Sequence, residues 1–136
     1  MRDPYNNVEI RRAISPVSVS DNTPLVSQII DGTGNEYLSF DIAIGSVADA
    51  DATFTVLVED GEDSGLSDNA AIADEFLIGT EALAGFQFDD DNEVRTITIK
   101  LKKQYNRLTI TPVGNASAAL ISATARLTGK DEVPVS

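Results

Sequence analysis

The residues best suited to chemistry in this sequence are closely spaced carboxylates. The segment Asp60–Gly65 places oxygen-bearing side chains at alternate positions before a glycine, as the first half of an EF-hand calcium loop does. With Asp60 as the first ligand, the twelfth position, where calcium needs a bidentate glutamate, is Ala71. We therefore predict a solvated acidic loop here and no metal site.

A second acidic cluster comprises Asp89, Asp90, Asp91 and Glu93. Adjacent carboxylates repel each other unless a cation lies between them. In a strand, however, neighbouring side chains point to opposite faces and cannot converge on one ion. We therefore predict that this cluster is a surface turn.

Catalytic chemistry has few candidate residues. The chain has no histidine and no cysteine, which excludes a Ser-His-Asp triad, a thiol nucleophile and a thiolate metal site. Paired carboxylates could hydrolyse a glycosidic bond, but 6% aromatic residues and no tryptophan offer little to build a sugar cleft. The segment Gly32–Gly34 lacks the lysine of a phosphate-binding loop. We expect no enzyme and no cofactor; a small carboxylate-dependent hydrolase is one alternative.

Charge is unevenly distributed along the chain. Eighteen acidic residues and no Lys or Arg lie between Ala13 and Val94, whereas seven Lys or Arg and no acid lie between Arg95 and Lys130. The net charge is −12, and a surface this negative repels phosphate backbones and anionic lipid. We expect neither nucleic acid nor a membrane as partner. Since no signal peptide or membrane span is recognisable, we expect a soluble protein made in the cytoplasm.

The basic residues are the candidate partner interface, because arginine and tyrosine are enriched at binding hot spots. Eight residues make up this candidate interface: Arg2, Tyr5, Arg11, Arg12, Lys100, Lys102, Lys103 and Arg107. Two interpretations stay open for them. The arginines near the N-terminus belong either to a solvated edge strand or to an arm on a partner, and the later cluster either pairs with neighbouring acids or forms a docking face.

Period-two alternation of apolar and polar residues predicts the elements that position these side chains. Five segments alternate clearly: Glu36–Ile44, Thr53–Val58, Thr96–Leu101, Tyr105–Thr111 and Leu120–Thr128. Further strand candidates are Leu25–Ile30, a short strand at Phe76–Ile78 or Phe86–Phe88, and Val8–Val19, which Pro16 limits to an edge or a bulge.

These elements predict an all-β chain, an antiparallel β-sandwich of jelly-roll type with about eight strands and one short helix. The helix is expected within Ser67–Phe76. The three residues Lys102–Gln104 suit a hairpin, which would make the strands on either side antiparallel neighbours. We expect one domain over residues 1–136, with an N-terminal arm at 1–7 and a loose C-terminal tail at 129–136.

Several strings in the chain resemble a known family. They are Arg11–Val17, Asp21–Thr23, Ala48–Phe54, Leu77–Glu81 and Tyr105–Pro112. In their order and spacing, from about Tyr5 to Leu127, they resemble small virion proteins of tailed phages and prophages that are similar to capsid cement, or head decoration, proteins. Asn106 departs from the family pattern, which has an aliphatic residue before Arg-Leu-Thr.

The resemblance implies a jelly-roll-like sandwich that binds the outside of a phage capsid and clamps neighbouring major capsid protein subunits. It also implies that the chain acts as a homo-oligomer, a homodimer or alternatively a homotrimer, located on the virion exterior. The competing interpretation is a carbohydrate-binding or adhesive module of a phage tail or fibre.

Overall fold

The computed structural model describes residues 8–87 and 90–129, except for the side chains of Ala82 and Leu83. Six long strands form most of the described chain: β1 (Val8–Val19), β4 (Tyr37–Val47), β5 (Thr53–Gly61), β9 (Val94–Lys100), β10 (Tyr105–Val113) and β11 (Ala119–Thr128). Five two-residue strands lie between them: β2 (Leu25–Val26), β3 (Ile30–Asp31), β6 (Ala70–Ala71), β7 (Leu77–Ile78) and β8 (Phe86–Gln87). The predicted N-terminal arm, and the predicted tail beyond Gly129, lie outside the described residues.

The strands form two antiparallel sheets packed face to face. Sheet A has the order β1-β11-β4-β9-β7. Sheet B has the order β2-β10-β5-β6, with β3 also pairing with β10 and β8 with β5. The predicted all-β class and antiparallel, jelly-roll-like sandwich are therefore confirmed.

The alternation seen in the sequence divides each long strand between core and surface. Apolar side chains at every second position of β4, β5, β9, β10 and β11 are buried between the sheets. The largest apolar side chains that are almost completely buried are Phe40, Phe54, Ile30, Leu38, Ile42, Ile97, Ile99, Leu108, Ile110, Leu127 and Val58. Because every second residue of these strands points outward, each sheet also presents an outer face to solvent.

The structure confirms that Pro16 restricts β1 to an edge. Among the described strands, β1 pairs only with β11, and its register shifts between Arg12 and Ile14 and again between Ile14 and Val17. Proline has no backbone N–H to donate, so it is tolerated at an edge or an irregularity of this kind.

The predicted hairpin across Lys102–Gln104 is wrong. β9 lies in sheet A between β4 and β7, so both of its edges are occupied, while β10 pairs with β5 in sheet B. The connection therefore crosses from one sheet to the other. The side-chain amide of Asn106, fully buried on β10, lies 3.4 Å from the Lys103 carbonyl oxygen and 3.5 Å from that of Gln104, beneath this crossing.

The helix expected within Ser67–Phe76 is wrong over most of its length. Only Asp74–Phe76 forms a single 3-10 turn, and Ala70–Ala71 form β6 instead, paired with β5. The Asp68 carboxylate accepts the backbone N–H groups of Glu62 and Asp63, so it closes a loop and does not cap a helix. The short helix of the fold, α1 (Glu81–Ala84), lies later in the chain.

Within the described part of the chain, no helix is both long and apolar enough to cross a membrane.

Candidate docking surfaces

The structure distributes the predicted interface residues over three places. Arg2 and Tyr5 lie outside the described residues. Arg11 and Arg12 lie on the edge strand β1, and Arg107 lies on the outer face of sheet B. The lysines at positions 100, 102 and 103 come together at one end of the sandwich, where the chain crosses between the sheets.

Three of the six described candidates contact side chains of their own chain. Arg107 Nη2 lies 3.0 Å from Glu59 Oε1, directly across the β5–β10 pair. Arg11 Nη2 lies 2.6 Å from Glu9 Oε2. Lys102 Nζ lies 4.9 Å from the centre of the Phe76 ring, a cation–π geometry. Of the two alternatives for the basic cluster, the contacts of Arg107 correspond to pairing with a neighbouring acid.

The Asp60–Gly65 loop is organised by its own backbone. Asp63 Oδ2 accepts the N–H groups of Gly65 and Ser67 at 2.9 and 3.2 Å, and these hydrogen bonds, that of Ser67 first, hold the pKa of Asp63 below its usual value. Asp60 differs because its side chain points into the sandwich, where burial raises its pKa, partly offset by the positive charge of Lys103. Over the ranges that the structure describes, no three acidic side chains are placed to hold a metal ion.

The second acidic cluster also forms local pairs. Arg95 Nη2 lies 3.0 Å from Asp90 Oδ1, and Arg95 also pairs with Glu93. Asp91 Oδ1 accepts the backbone N–H of Val47 at 2.9 Å, joining this turn to the end of β4. The cluster is a surface turn, as predicted for the part that is described; Asp89 lies outside it.

The centre of the outer face of sheet A is polar, and its polar groups are bonded to one another, while Ile78, Val94 and Leu120 are exposed elsewhere on the same sheet. Asp41 on β4 accepts hydrogen bonds from Arg126 Nε and Nη2, at 2.7 and 3.1 Å, and from Thr96 Oγ1 at 2.9 Å. Beside them, the hydroxyl groups of Ser39 and Thr98 are 2.8 Å apart. The central strands of sheet A are thus tied together on their solvent side.

The outer face of sheet B has a different composition. Seven outward-pointing side chains carry no charge, and we call them the neutral face: Val26, Thr53, Thr55, Leu57, Thr109, Thr111 and Val113. The strand register places them in adjacent rows, with Leu57, Thr109 and Val26 in one row. The Glu59–Arg107 row bounds the face at one side. Val26 and Val113 are 54% and 53% exposed, so the face carries apolar as well as hydroxyl surface.

Sequence reasoning missed the neutral face. The signal was present in the alternating threonines of β5 and β10, but alternation alone does not say that these two strands are neighbours. Without that pairing, the outward threonines are scattered polar residues. Only the register brings them together into a continuous surface with no formal charge on a protein of net charge −12.

A groove of about 540 Å³ lies beside β5 and β8. Its lining includes Phe54 and Phe86, whose rings stack with centres 4.7 Å apart. The two residues are only 2% and 4% exposed, so their rings belong to the core and cannot stack on a sugar.

The fold has been seen in other proteins. No protein-family model and no curated protein sequence matches this chain. Among solved structures, the PBSX exported protein XepA is similar over 100% of this chain, with a TM-score of 0.59 and 13% identity. The chain spans 41% of the length of that protein. CBM35 from Cellvibrio japonicus Abf62 is similar over 90% of this chain and 94% of its own, with a TM-score of 0.48 and 11% identity. At this identity, the likeness to XepA shows a shared fold.

Proposed function

We propose that this chain is a phage structural protein that binds the outer surface of a capsid and stabilises it by clamping neighbouring major capsid protein subunits. The observation that carries the proposal is the neutral face of sheet B. The sequence resemblance to cement proteins supports it, and the fold is one shared with the PBSX exported protein XepA. The proposed role is adhesion only, with no bond made or broken.

The neutral face suits attachment because approach to it requires little removal of water from charges. Burying an unpaired charge is costly, whereas threonine methyl groups, Leu57 and two exposed valines gain from leaving water. The acidic side chains elsewhere remain in solvent and repel other particles. A domain of this size therefore has one uncharged surface for a shell and a negative surface for the solution.

The clamp also needs more than one contact. If copies on a shell are linked, the second contact forms at the high effective concentration that the first one sets. Modest contacts through a single sheet face can then give stable attachment. We therefore include self-association, as a homodimer or alternatively a homotrimer, in the proposal.

The test adds purified protein to undecorated capsids of the phage that encodes it, then measures co-sedimentation and the temperature at which the capsids rupture. We expect binding and a higher rupture temperature. Thr55→Glu places a charge in the middle of the neutral face, and we expect it to weaken binding by roughly 10-fold or more.

Ser122→Glu is the matched control, because Ser122 is an outward-pointing hydroxyl residue on β11, opposite Ala43 on the outer face of sheet A. We expect this variant to bind as the parent does. An unchanged rupture temperature together with no co-sedimentation would overturn the proposal. An equal loss of capsid binding in both variants would show that the neutral face is not the binding surface. Clear hits on a glycan array, with no capsid binding, would favour the carbohydrate-binding alternative instead.

A further inference from the structure

We propose that two copies of this chain associate through β1, edge to edge and antiparallel, with Ile10 on the two-fold axis. The inference rests on the proposed function in one respect, since a two-copy clamp needs a self-interface. The open edge of β1 would provide this self-interface.

The backbone of β1 directs the hydrogen-bonding groups of Ile10 toward the open edge. In an antiparallel pair, successive residues direct their N–H and C=O groups alternately toward the neighbouring strand and away from it. The Arg12 carbonyl oxygen accepts Gln28 Nε2 at 2.6 Å, on the side of β1 opposite β11. Ile10, two residues earlier, therefore directs its N–H and C=O toward the same open side. No other described strand pairs with β1 along this edge, but Gln28 donates its backbone N–H to the Ala13 carbonyl oxygen at 3.0 Å, so the open part of the edge lies before Arg12, around Ile10.

The side chains along this edge place an exposed isoleucine between two opposite charges. Ile10 is 65% exposed, the largest exposed fraction among the large apolar side chains that the structure describes. Glu9 and Arg11 flank it and point to the other face of the strand, where they pair with each other within one copy. The edge thus presents an isoleucine between an acid and a base, in a molecule with few basic residues.

The order Glu9, Ile10, Arg11 is complementary to itself across a two-fold axis. A two-fold interface places each residue opposite its symmetry mate. With Ile10 on the axis, Ile10 meets Ile10 of the second copy, and Glu9 of each copy lies opposite Arg11 of the other. The backbone groups of Ile10 would then form two hydrogen bonds across the axis.

Neighbouring registers are disfavoured by charge. The open-side alternation allows only registers shifted by two residues, which place the axis at Glu9 or at Arg11. Those registers set two carboxylates or two guanidinium groups directly opposite each other, which is destabilising in a sheet. The register centred on Ile10 is the one that pairs opposite charges, so the sequence of β1 selects it.

Charged residues on an edge strand can also serve to keep other strands away. The two roles make different predictions. A protective edge gives a monomer, and changing its charges does not alter mass. A self-complementary edge gives a dimer whose affinity depends on the sign of the charge at each position.

The experiment measures solution mass by light scattering and sedimentation, with the full chain from about 1 μM to 1 mM. We expect a species of twice 14.5 kDa. Ile10→Lys sets two ammonium groups on the axis and should weaken dimerisation by about 10-fold or more. Arg11→Glu should weaken it as well, and the double change Glu9→Arg with Arg11→Glu should restore it, since opposite charges face each other again.

Ile78→Lys is the matched control, an isoleucine 59% exposed on β7, at the opposite edge of sheet A. We expect it to leave the dimer intact. A monomer at every concentration, a trimer, a dimer insensitive to Ile10→Lys, or equal loss in Ile78→Lys would each overturn the inference. No capsid is used, so the result is independent of whether the neutral face binds a shell.

Discussion

The two sheets of this sandwich share one core but differ on their solvent sides. At the centre of sheet A, Asp41 accepts hydrogen bonds from Arg126 and Thr96, so the polar groups there are occupied by one another, and the exposed apolar side chains of this sheet lie around that network. On sheet B, the neutral face has threonine hydroxyls beside exposed valine and leucine side chains, and formal charge begins only at the Glu59–Arg107 row. The hydrogen bonds on sheet A stabilise the fold. Contact with the neutral face of sheet B requires little removal of water from charged groups.

The difference shows how a strongly acidic protein can still offer an adhesive surface. Net charge is a property of the whole molecule, but a contact is decided by the groups that it covers. Here the acids lie mostly in loops and at strand ends, where they bond to backbone N–H groups. The neutral face of sheet B is thereby free of them.

The largest expected effect tests whether the two sheets depend equally on the shared core. Phe40 in sheet A and Phe54 in sheet B are 0% and 2% exposed. We expect Phe40→Ala and Phe54→Ala each to lower the free energy of unfolding by about 3–5 kcal/mol, from lost burial and the cavity left behind. Urea unfolding followed by circular dichroism measures both. A loss below about 1 kcal/mol in either variant would show that the sheet concerned is not part of a common core.

A smaller effect compares the ion pairs on the two outer faces. Arg126 donates two hydrogen bonds to Asp41, whereas Arg107 makes one to Glu59, and its buried Nε has no hydrogen-bond partner among the described residues. Partly exposed pairs are worth little, so we expect a coupling energy of about 1 kcal/mol for Asp41–Arg126 and less for Glu59–Arg107. Double-mutant cycles with Asp41→Asn, Arg126→Met, Glu59→Gln and Arg107→Met measure the two values. Stronger coupling on sheet B would reverse the comparison.

The smallest effect concerns the carboxylate that sheet B buries. Because burial raises the pKa of Asp60, the folded state favours its protonated form. The resulting stability is present below the unfolded pKa of about 3.9 and is lost as pH rises through the folded value. We therefore expect Asp60→Asn to be slightly more stable than the parent at pH 7, with the difference shrinking as pH falls below about 4.

Asp63→Asn is the control, because the pKa of Asp63, in the same loop, is shifted in the opposite direction. The pKa of Asp63 is lowered by backbone hydrogen bonds, so its contribution is present above the unfolded pKa and lost as pH falls through the folded one. We expect this variant to be less stable than the parent at pH 7. Thermal unfolding of both variants across pH 3–7 tests the pair. Parallel curves for the two would show that the environments of these carboxylates are alike.

Sequence reasoning located the long strands because their alternation reports which residues face a core. It could not assign them to sheets, since a strand with one buried face reads the same in either layer. Lys102–Gln104 illustrates the limit, because three polar residues suit a hairpin and a crossing between sheets equally well. Asn106, which departs from the aliphatic pattern, was the residue that marked the crossing, since its buried amide faces the carbonyl groups of that connection.

The candidate interface was predicted from the basic residues, because the uneven distribution of charge is the most conspicuous feature of the sequence. The neutral face has no unusual residue and depends on the pairing of β5 with β10, whose contacts span about fifty residues of chain. The self-complementary order of Glu9, Ile10 and Arg11 was readable from the sequence alone. Its meaning depended on knowing that β1 has an open edge.

The place of β11 in sheet A has a consequence for biosynthesis. This strand lies between β1 and β4, so β1 cannot pair within sheet A until β11, far later in the chain, has been synthesised. Contacts so distant in sequence slow folding. The nascent chain must therefore remain soluble with sheet A incomplete until translation has passed Thr128, and its early acidic residues supply the mutual repulsion that discourages aggregation in that interval.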